Sequence, residues 1–325
     1  MTELFDSHQR QVNYLRISVT DHCNLKCIYC QAGSVSRLPR NEILRYEEIE
    51  RLTQVAARMG INKVRLTGGD PLSRSDLTEL IRMLSRIEGI DDISLTTNGI
   101  LLSNHARELK EAGLKRVNVS LDTLKEDSFR RITGGNGPSE VLSGIEAAHL
   151  AGLAPVKINM VVLKDINDDE VIDFARLTIS QDWHVRFIEF MPLGMFGAHI
   201  PETVPTREIR GQIQILGKLE PYTGKSGNGP ARYYRLPEAK GTVGFISPMT
   251  EHFCSTCNRL RLTADGQLRP CLLDDGEIDL KKALRNGAGS EELKKLIQQA
   301  LAMKRERYNL NQRVTPTKPM SQIGG

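Results

Sequence analysis

From residue 14 to about residue 192 the chain repeats one local pattern: a short β-branched run, a loop, then an amphipathic helical segment. The runs fall at 15–20, 63–67, 93–97, 116–121, 156–163 and 185–190. Between them, Leu77, Leu80, Ile81, Leu84 and Ile87 recur at helical spacing, with Ser75 as the expected N-cap and Gly89 beyond the end. Ile49, Leu52, Ala56 and Met59 form a second stripe, and segments 105–112, 139–151 and 169–179 complete the helices. Thr123 and Glu126 stand at capping-box spacing. Strands that alternate with helices bury both sheet faces most simply as a parallel sheet with right-handed crossovers. A closed eight-unit barrel needs two more units than the pattern supplies. The expected fold is therefore α/β: a partial (β/α)6 TIM-like barrel, open on one side.

The pattern changes after residue 204. Short strand-like runs at 232–236, 242–246, 259–263 and 267–271 follow without long helices between them. Asp265-Gly266 is a strong hairpin signal, and an ideal two-residue turn there would set Cys271 opposite Leu260. Residues 277–308 read as helical and basic. The expected division is a barrel domain over 1–204 and a C-terminal antiparallel sheet capping domain over 205–325.

Composition narrows the function classes. Forty-four basic against forty acidic side chains give a net charge of +4, too mild to imply nucleic acid. No apolar stretch approaches the roughly 18 residues of a spanning helix, and the first residues carry no secretory pattern, so a cytoplasmic, membrane-free protein is expected. Gly224-Lys225-Ser226 mimics the end of a P-loop, but the glycine required at 219 is Leu219. The basic run from Lys294 to Arg307 reads as a solvated helix face.

All six cysteines fall into two triplets, Cys23-x3-Cys27-x2-Cys30 and Cys254-x2-Cys257-x13-Cys271. Clustered thiols in a reducing compartment bind metal or do redox chemistry more often than they form disulfides. Structural zinc takes four ligands, so that reading must recruit His22 or His252. Cubane iron–sulfur clusters also take four, and three thiolates leave one iron open for a reactant. A zinc-stabilised binding module and a simple electron carrier stay open at this point.

Every unusual loop of the first domain follows the C-terminal end of a predicted strand, where parallel barrels carry their chemistry. These loops are the three-cysteine segment, Thr67-Gly68-Gly69-Asp70-Pro71, Thr96-Thr97-Asn98-Gly99, Ser120-Leu121-Asp122 and the stretch from Glu189 through Met191 to Gly194. Gly68-Gly69 lets backbone approach a ligand closely, and Asp70 or the backbone around it suits a cationic amine. Arg16, Arg65, Arg116, Lys157 and Arg186 interrupt otherwise apolar strands, where a charge is costly unless it meets an anion or lies at the exposed strand start. Arg116 is the one expected at such a start. Several of them facing one lumen would hold a polyanion such as a phosphate chain. Arg259 and Arg261 repeat the theme beside Cys257, on one face of a strand.

The first triplet, with Tyr29 before its last cysteine, resembles the signature of radical S-adenosylmethionine enzymes. Arg16-Ile-Ser-Val-Thr-Asp-His-Cys-Asn, Val64-Arg-Leu-Thr-Gly-Gly-Asp-Pro, Leu95-Thr-Thr-Asn-Gly, Val117-Asn-Val-Ser-Leu-Asp and Phe187-Ile-Glu-Phe-Met-Pro resemble the GTP 3′,8-cyclase family. So do Phe253-Cys-Ser-Thr-Cys-Asn-Arg-Leu-Arg, Cys271 and the terminal Gly324-Gly325. These enzymes carry out the first step of molybdenum-cofactor biosynthesis. The resemblance implies that Cys23, Cys27 and Cys30 hold one [4Fe-4S] cluster, whose open iron chelates S-adenosylmethionine, with Tyr29, Gly69, Ser120 and Met191 contacting that cofactor. It implies a second [4Fe-4S] cluster on Cys254, Cys257 and Cys271, open to the guanine of GTP. Arg16, Arg65, Thr96, Lys157, Arg259 and Arg261 would contact GTP, with Arg16, Arg259 and Arg261 catalytic and Arg186 a further candidate for the triphosphate. The glycine tail would enter the active site. An external electron donor, a homodimer and delivery of product to the cyclic pyranopterin monophosphate synthase are implied as well. Two departures from the family pattern, Gln31-Ala32 where Met-Pro is common and Asp70 where the usual residue is glutamate, replace no cluster ligand.

Overall fold

The structure, a computed structural model, describes residues 3–30, 37–192, 202–224, 229–308 and 318–324. Gln31-Ala32, Gly194, Lys225-Ser226 and Gly325 lie outside the described residues. The six anticipated parallel strands are β1 (Tyr14–Ser18), β2 (Lys63–Thr67), β3 (Asp92–Thr97), β4 (Arg116–Ser120), β5 (Lys157–Val162) and β6 (His184–Glu189). They are followed by β7 (Glu220–Pro221), β8 (Arg232–Arg235), β9 (Thr242–Ile246), β10 (Arg259–Leu262), β11 (Gln267–Arg269) and β12 (Ile278–Asp279). By contacts the chain forms two compact units: Met1–Thr97 with Arg107–Lys115 and Cys254–Gly325, and Asn98–Ala106 with Arg116–Phe253. Among the described residues no helix is long and apolar enough to cross a membrane.

The strands of the first unit lie in the order β12-β11-β10-β1-β2-β3. β10 runs parallel to β1, pairing Leu15 with Leu260 and Arg16 with Arg261, and β1 pairs in parallel with β2. The C-terminal segment is thus not wholly antiparallel. Its strand β10 satisfies the open edge of β1 in parallel, which the long intervening chain permits, before β11 and β12 turn back antiparallel. Alternation along the strands sorts the side chains. Leu15, Leu260, Leu262 and Leu268 pack against Leu52 and Ala56 of helix Tyr46–Arg58 and Ile297 of helix Ser290–Ala302. Each such fully buried side chain contributes about 1.5–3 kcal/mol. The arginines alternate with these residues and therefore occupy the other face.

The second unit orders its strands β4-β5-β6-β9-β8-β7. β9 runs parallel to β6, and β8 and β7 follow antiparallel. Val119, Ile158, Met160, Val185, Phe187, Val243 and Phe245 are buried, with the Phe187 and Phe245 rings stacked 6.1 Å apart. At the end of β6 the buried Glu189 accepts from the Thr206, Met249 and Thr250 amides, which ties the loop after β9 to the sheet.

Two local expectations are corrected. Helix Leu77–Ser85 begins after Asp76, not Ser75; Asp76 sits in the left-handed region at φ 58°, which resets the helix entry. Thr123 and Glu126 form no capping box, because the Thr123 hydroxyl is taken by the buried Glu170 and accepts from the Lys125 amide. The helix that follows, Glu126–Thr133, has Lys125 as its N-cap and starts two residues too late for that geometry.

Candidate active site

The first cysteine loop is held by backbone. Beyond β1 and β2 the chains stay paired: the Val19 amide donates to Thr67 O (2.9 Å), Gly69 N to Thr20 O (2.7 Å) and Asp70 N to His22 O (2.6 Å). A Cβ on Gly69 would lie 2.2 Å from the His22 carbonyl oxygen, so the glycine is required by contact with the cysteine loop itself. The Asp70 carboxylate is buried and turned inward, where it accepts from the Leu72 amide and the Thr97 hydroxyl. Arg74 donates to Val19 O and Leu44 O and stacks on Tyr46 (4.1 Å), bracing the approach to Cys23. Tyr29 and all three cysteines are half-buried, and the Cys30 amide donates to Cys27 O at 2.9 Å.

The arginines of this unit form a row. Strand register puts Arg261, Arg16, Arg65 and Ser94 at one level across four neighbouring strands. Arg259 lies two residues before Arg261 and Thr96 two residues after Ser94, each on the same face. Arg65 Nε donates to Ser94 Oγ (3.2 Å), and its guanidinium stands 5.4 Å from the Tyr14 ring. Burial, and then the charges of Arg261, Arg65 and Arg259, hold Arg16 well below the usual arginine range. Burial and Arg259 push Arg261 down to about 10. Like charges gathered this closely cost stability until an anion arrives. The C-terminal tail reaches the same row: Arg261 Nη1 donates to Gly324 O at 2.5 Å, and Gly324 packs beside Ser18 and Thr67.

The second triplet sits at the start of β10. Its hairpin pairs Arg261 with Arg269 and Leu262 with Leu268, so three residues, not two, close the turn. The register moves by one, and Cys271 is not set opposite Leu260. Arg269 is fully buried; it reaches Asp274 O, Asp275 and Glu277 and shapes the loop that returns Cys271. Burial resists ionisation of the Cys257 thiol, yet Arg259 and Lys304 outweigh it and bring its pKa to about 6.

Ser120, Lys157, Arg186 and Met191 belong to the second unit. Ser120, Asn159 and Arg186 are level across β4, β5 and β6, as are Asn118, Lys157 and His184. Lys157 and Arg186 are buried, and Lys157 Nζ stands 5.9 Å from the Tyr233 ring. Arg116 opens β4, at the strand start where it was expected. Met191 follows β6 and is half-buried. Burial, Lys157 and Arg186 push the His184 pKa down to about 4. His184 is therefore neutral in the fold while its unfolded counterpart titrates near 6.5, so stability is full above about pH 6.5 and falls as pH drops toward 4. Unfolding free energies from urea titration should fall between pH 7 and pH 4.5 by on the order of 2 kcal/mol more in the wild type than in His184→Gln. Parallel pH profiles for the two proteins would contradict this.

Residues 17–178 match the model of the radical SAM superfamily, and residues 183–310 match Molybdenum Cofactor Synthesis C. A protein of Streptococcus suis, SuiB bound to S-adenosylmethionine, shares the fold (TM-score 0.65, 14% identity, covering 94% of this chain and 75% of that one). So does native anSMEcpe with bound AdoMet (TM-score 0.60, 16% identity, 90% and 81%). These likenesses give the partial TIM-like barrel. The GTP 3′,8-cyclase of Pelotomaculum thermopropionicum is 54% identical over 98% of this chain and 99% of its own, and that of Moorella thermoacetica 52% over 98% and 99%. The chain belongs to the GTP 3′,8-cyclase family.

The donor sets suit the iron–sulfur clusters of such a radical SAM enzyme. All six cysteines are free thiols, half-buried, and the second set meets cations that favour thiolate. Among the described residues no three His, Cys, Asp or Glu side chains could hold a single metal ion. A cubane does not ask for that, since each thiolate takes its own iron.

Two residues of this GTP 3′,8-cyclase site escaped sequence reasoning. Arg10, paired with Asp6, donates to Cys254 O (2.8 Å), Arg305 O (2.8 Å) and Glu306 O (3.0 Å). Lys304, expected on a solvated face, is only 3% exposed and donates to Cys257 Sγ. The helix of the basic run ends at Ala302, and the Lys304 side chain then turns inward while its neighbours Met303 and Arg305 stay exposed. Only a lysine placed past the last apolar helix position hinted at this.

Proposed function

We infer that this chain converts GTP to (8S)-3′,8-cyclo-7,8-dihydroguanosine 5′-triphosphate, the first step of molybdenum cofactor biosynthesis. The observation that carries this reading is the arginine row running at one level from β10 to β2 beside the second cysteine triplet, in a chain of this family. The cofactors are two [4Fe-4S] clusters and S-adenosylmethionine. When bound, the first cluster would supply the electron that cleaves S-adenosylmethionine to methionine and a 5′-deoxyadenosyl radical; transfer of the 3′ hydrogen of GTP to that radical, bonding of C3′ to C8, and one further electron from the external donor with one proton would give the dihydro product and 5′-deoxyadenosine.

The residues of the chain divide the remaining work. Cys23, Cys27 and Cys30 hold the first cluster, with Tyr29, Gly69, Ser120 and Met191 seating S-adenosylmethionine. Cys254, Cys257 and Cys271 hold the second, which leaves an iron for guanine. Arg16, Arg65, Thr96, Lys157, Arg259 and Arg261 bind GTP, and Arg186 adds charge for its triphosphate. Arg16, Arg259 and Arg261 act nearest the reaction. Anchoring both ends of GTP fixes C3′ against C8, which is what an otherwise indiscriminate radical reaction needs. Residues 1–204 and 205–325 are the functional domains of this reading. A cytoplasmic homodimer, supplied by an external electron donor and handing its product to the cyclic pyranopterin monophosphate synthase, completes it.

Anaerobically reconstituted protein should carry about eight iron and eight sulfide per chain. With GTP, S-adenosylmethionine and a reductant it should release 5′-deoxyadenosine and the cyclised nucleotide together. Cys257→Ala should drop iron to about four per chain and cut product by more than the roughly hundredfold that loss of an outer-shell partner costs. 5′-Deoxyadenosine formed without GTP, and no cyclised nucleotide, would refute the substrate assignment.

A further inference from the structure

Lys304 Nζ has three hydrogen-bond acceptors: Cys257 Sγ at 3.5 Å, Arg259 O at 3.1 Å and Pro270 O at 3.1 Å. One ammonium thus joins the Cys257 thiol, the first residue of β10 and the carbonyl just before Cys271. Both arms of the second triplet meet at this cation. It is 3% exposed, and among the described residues no carboxylate forms an ion pair with it. A buried ammonium is expensive without an anion beside it. The acceptors present are two neutral carbonyls and one sulfur, so the compensating charge has to come from the sulfur. Arg259 Nη2 points to the same sulfur at 3.6 Å. The position is not a chance of a loose tail, because Arg10 clamps the next two carbonyls, Arg305 O and Glu306 O, to Cys254 O through one guanidinium.

We propose that Lys304 is a positioning residue of the second cluster, whose charge favours the reduced state of that cluster and holds the two arms of its cysteine set together. Three thiolates on a [4Fe-4S] core leave the site anionic, and an added electron makes it more so. A fixed buried cation one hydrogen bond away lowers the free energy of the reduced form more than that of the oxidised form, and so raises the potential. The inference rests on the assignment of the second cluster made above.

The test uses the full-length chain with Cys23, Cys27 and Cys30 replaced by alanine, so that only the second cluster assembles, reconstituted anaerobically and titrated with dithionite by visible absorbance and paramagnetic resonance. This parent should bind about four iron per chain. A parent that binds none removes the cluster assignment and the inference with it. In Lys304→Met the ratio of reduced to oxidised cluster at a given potential should fall about tenfold, which is 59 mV for a one-electron couple. Lys304→Arg keeps the charge and should titrate with the parent. An iron-loaded Lys304→Met that also titrates with the parent overturns the proposal, as does Lys304→Arg shifting as far as Lys304→Met. If Lys304→Met loads no iron while Lys304→Arg loads about four, the requirement for charge is upheld in its stronger form. If neither loads, Lys304 is a packing residue only and the proposal fails.

Discussion

Arg16→Met should make the protein more stable and nearly inactive. Arg16 stands between Arg261 and Arg65 in the row, and burial and those neighbours already hold it well below its ordinary pKa. Methionine keeps most of the apolar stem and removes the charge. In GTP-free protein the relief of repulsion and desolvation should be worth about 1–2 kcal/mol, a rise in melting temperature of roughly 1–3 °C. If the row holds the triphosphate as proposed, the same change removes a half-buried cation from it, and GTP affinity should fall by at least about thirtyfold. Melting curves with and without GTP read both effects: the wild type should gain more from GTP than the variant does, because stabilisation scales with binding to the native state. A variant that melts lower than wild type without GTP would mean that the arginine row is satisfied internally, and the argument for a polyanion site would fall.

The second large effect is expected from one methyl group. In Gly69→Ala the new Cβ would lie 2.2 Å from His22 O, 2.4 Å from the His22 carbonyl carbon and 2.7 Å from Asp21 O. All three are backbone atoms, so no side-chain rotation relieves the contact. The 2.7 Å bond from Gly69 N to Thr20 O has to stretch or break, and the segment it holds leads directly into Cys23. A destabilisation of about 3 kcal/mol is expected, with a fall in melting temperature of roughly 4–5 °C. Iron should drop from about eight toward about four per chain as the first cluster is lost. Gly211→Ala is the control: no atom lies within 4 Å of its Cβ, and its helix should tolerate or welcome alanine. Full iron content and an unchanged melting temperature in Gly69→Ala would show that the loop adapts more freely than this backbone pairing allows.

Much of the site was legible in the residues because its chemistry demands rare types at fixed spacing. Three thiols within eight positions, and three more with two before a hairpin and one after it, survive any detail of packing. The strand-borne cations were also visible, since a charge breaks an apolar run wherever it stands. Their alignment was not visible. Arg16, Arg65 and Arg261 become neighbours through parallel register, and no turn signal reports how two distant strands slide against each other. Asp265-Gly266 announced its hairpin but not the extra residue in the turn, which moved Cys271 by one position in register.

The alternation of strand and helix and the two cysteine triplets could be read from the residues alone, because periodicity and thiol spacing are local properties, and the motifs around them carried the resemblance to the family. The parallel joining of β9 to β6 and of β10 to β1, the need for Gly69 at the cysteine loop, and the inward turn of Asp70 to Thr97 came from the folded chain. It alone turned Lys304 from an exposed helix charge into a buried donor to Cys257. These depend on which backbone edges remain unpaired and on where an ammonium finds its acceptors. Both are settled between residues far apart in the chain, where composition and spacing carry no record of them.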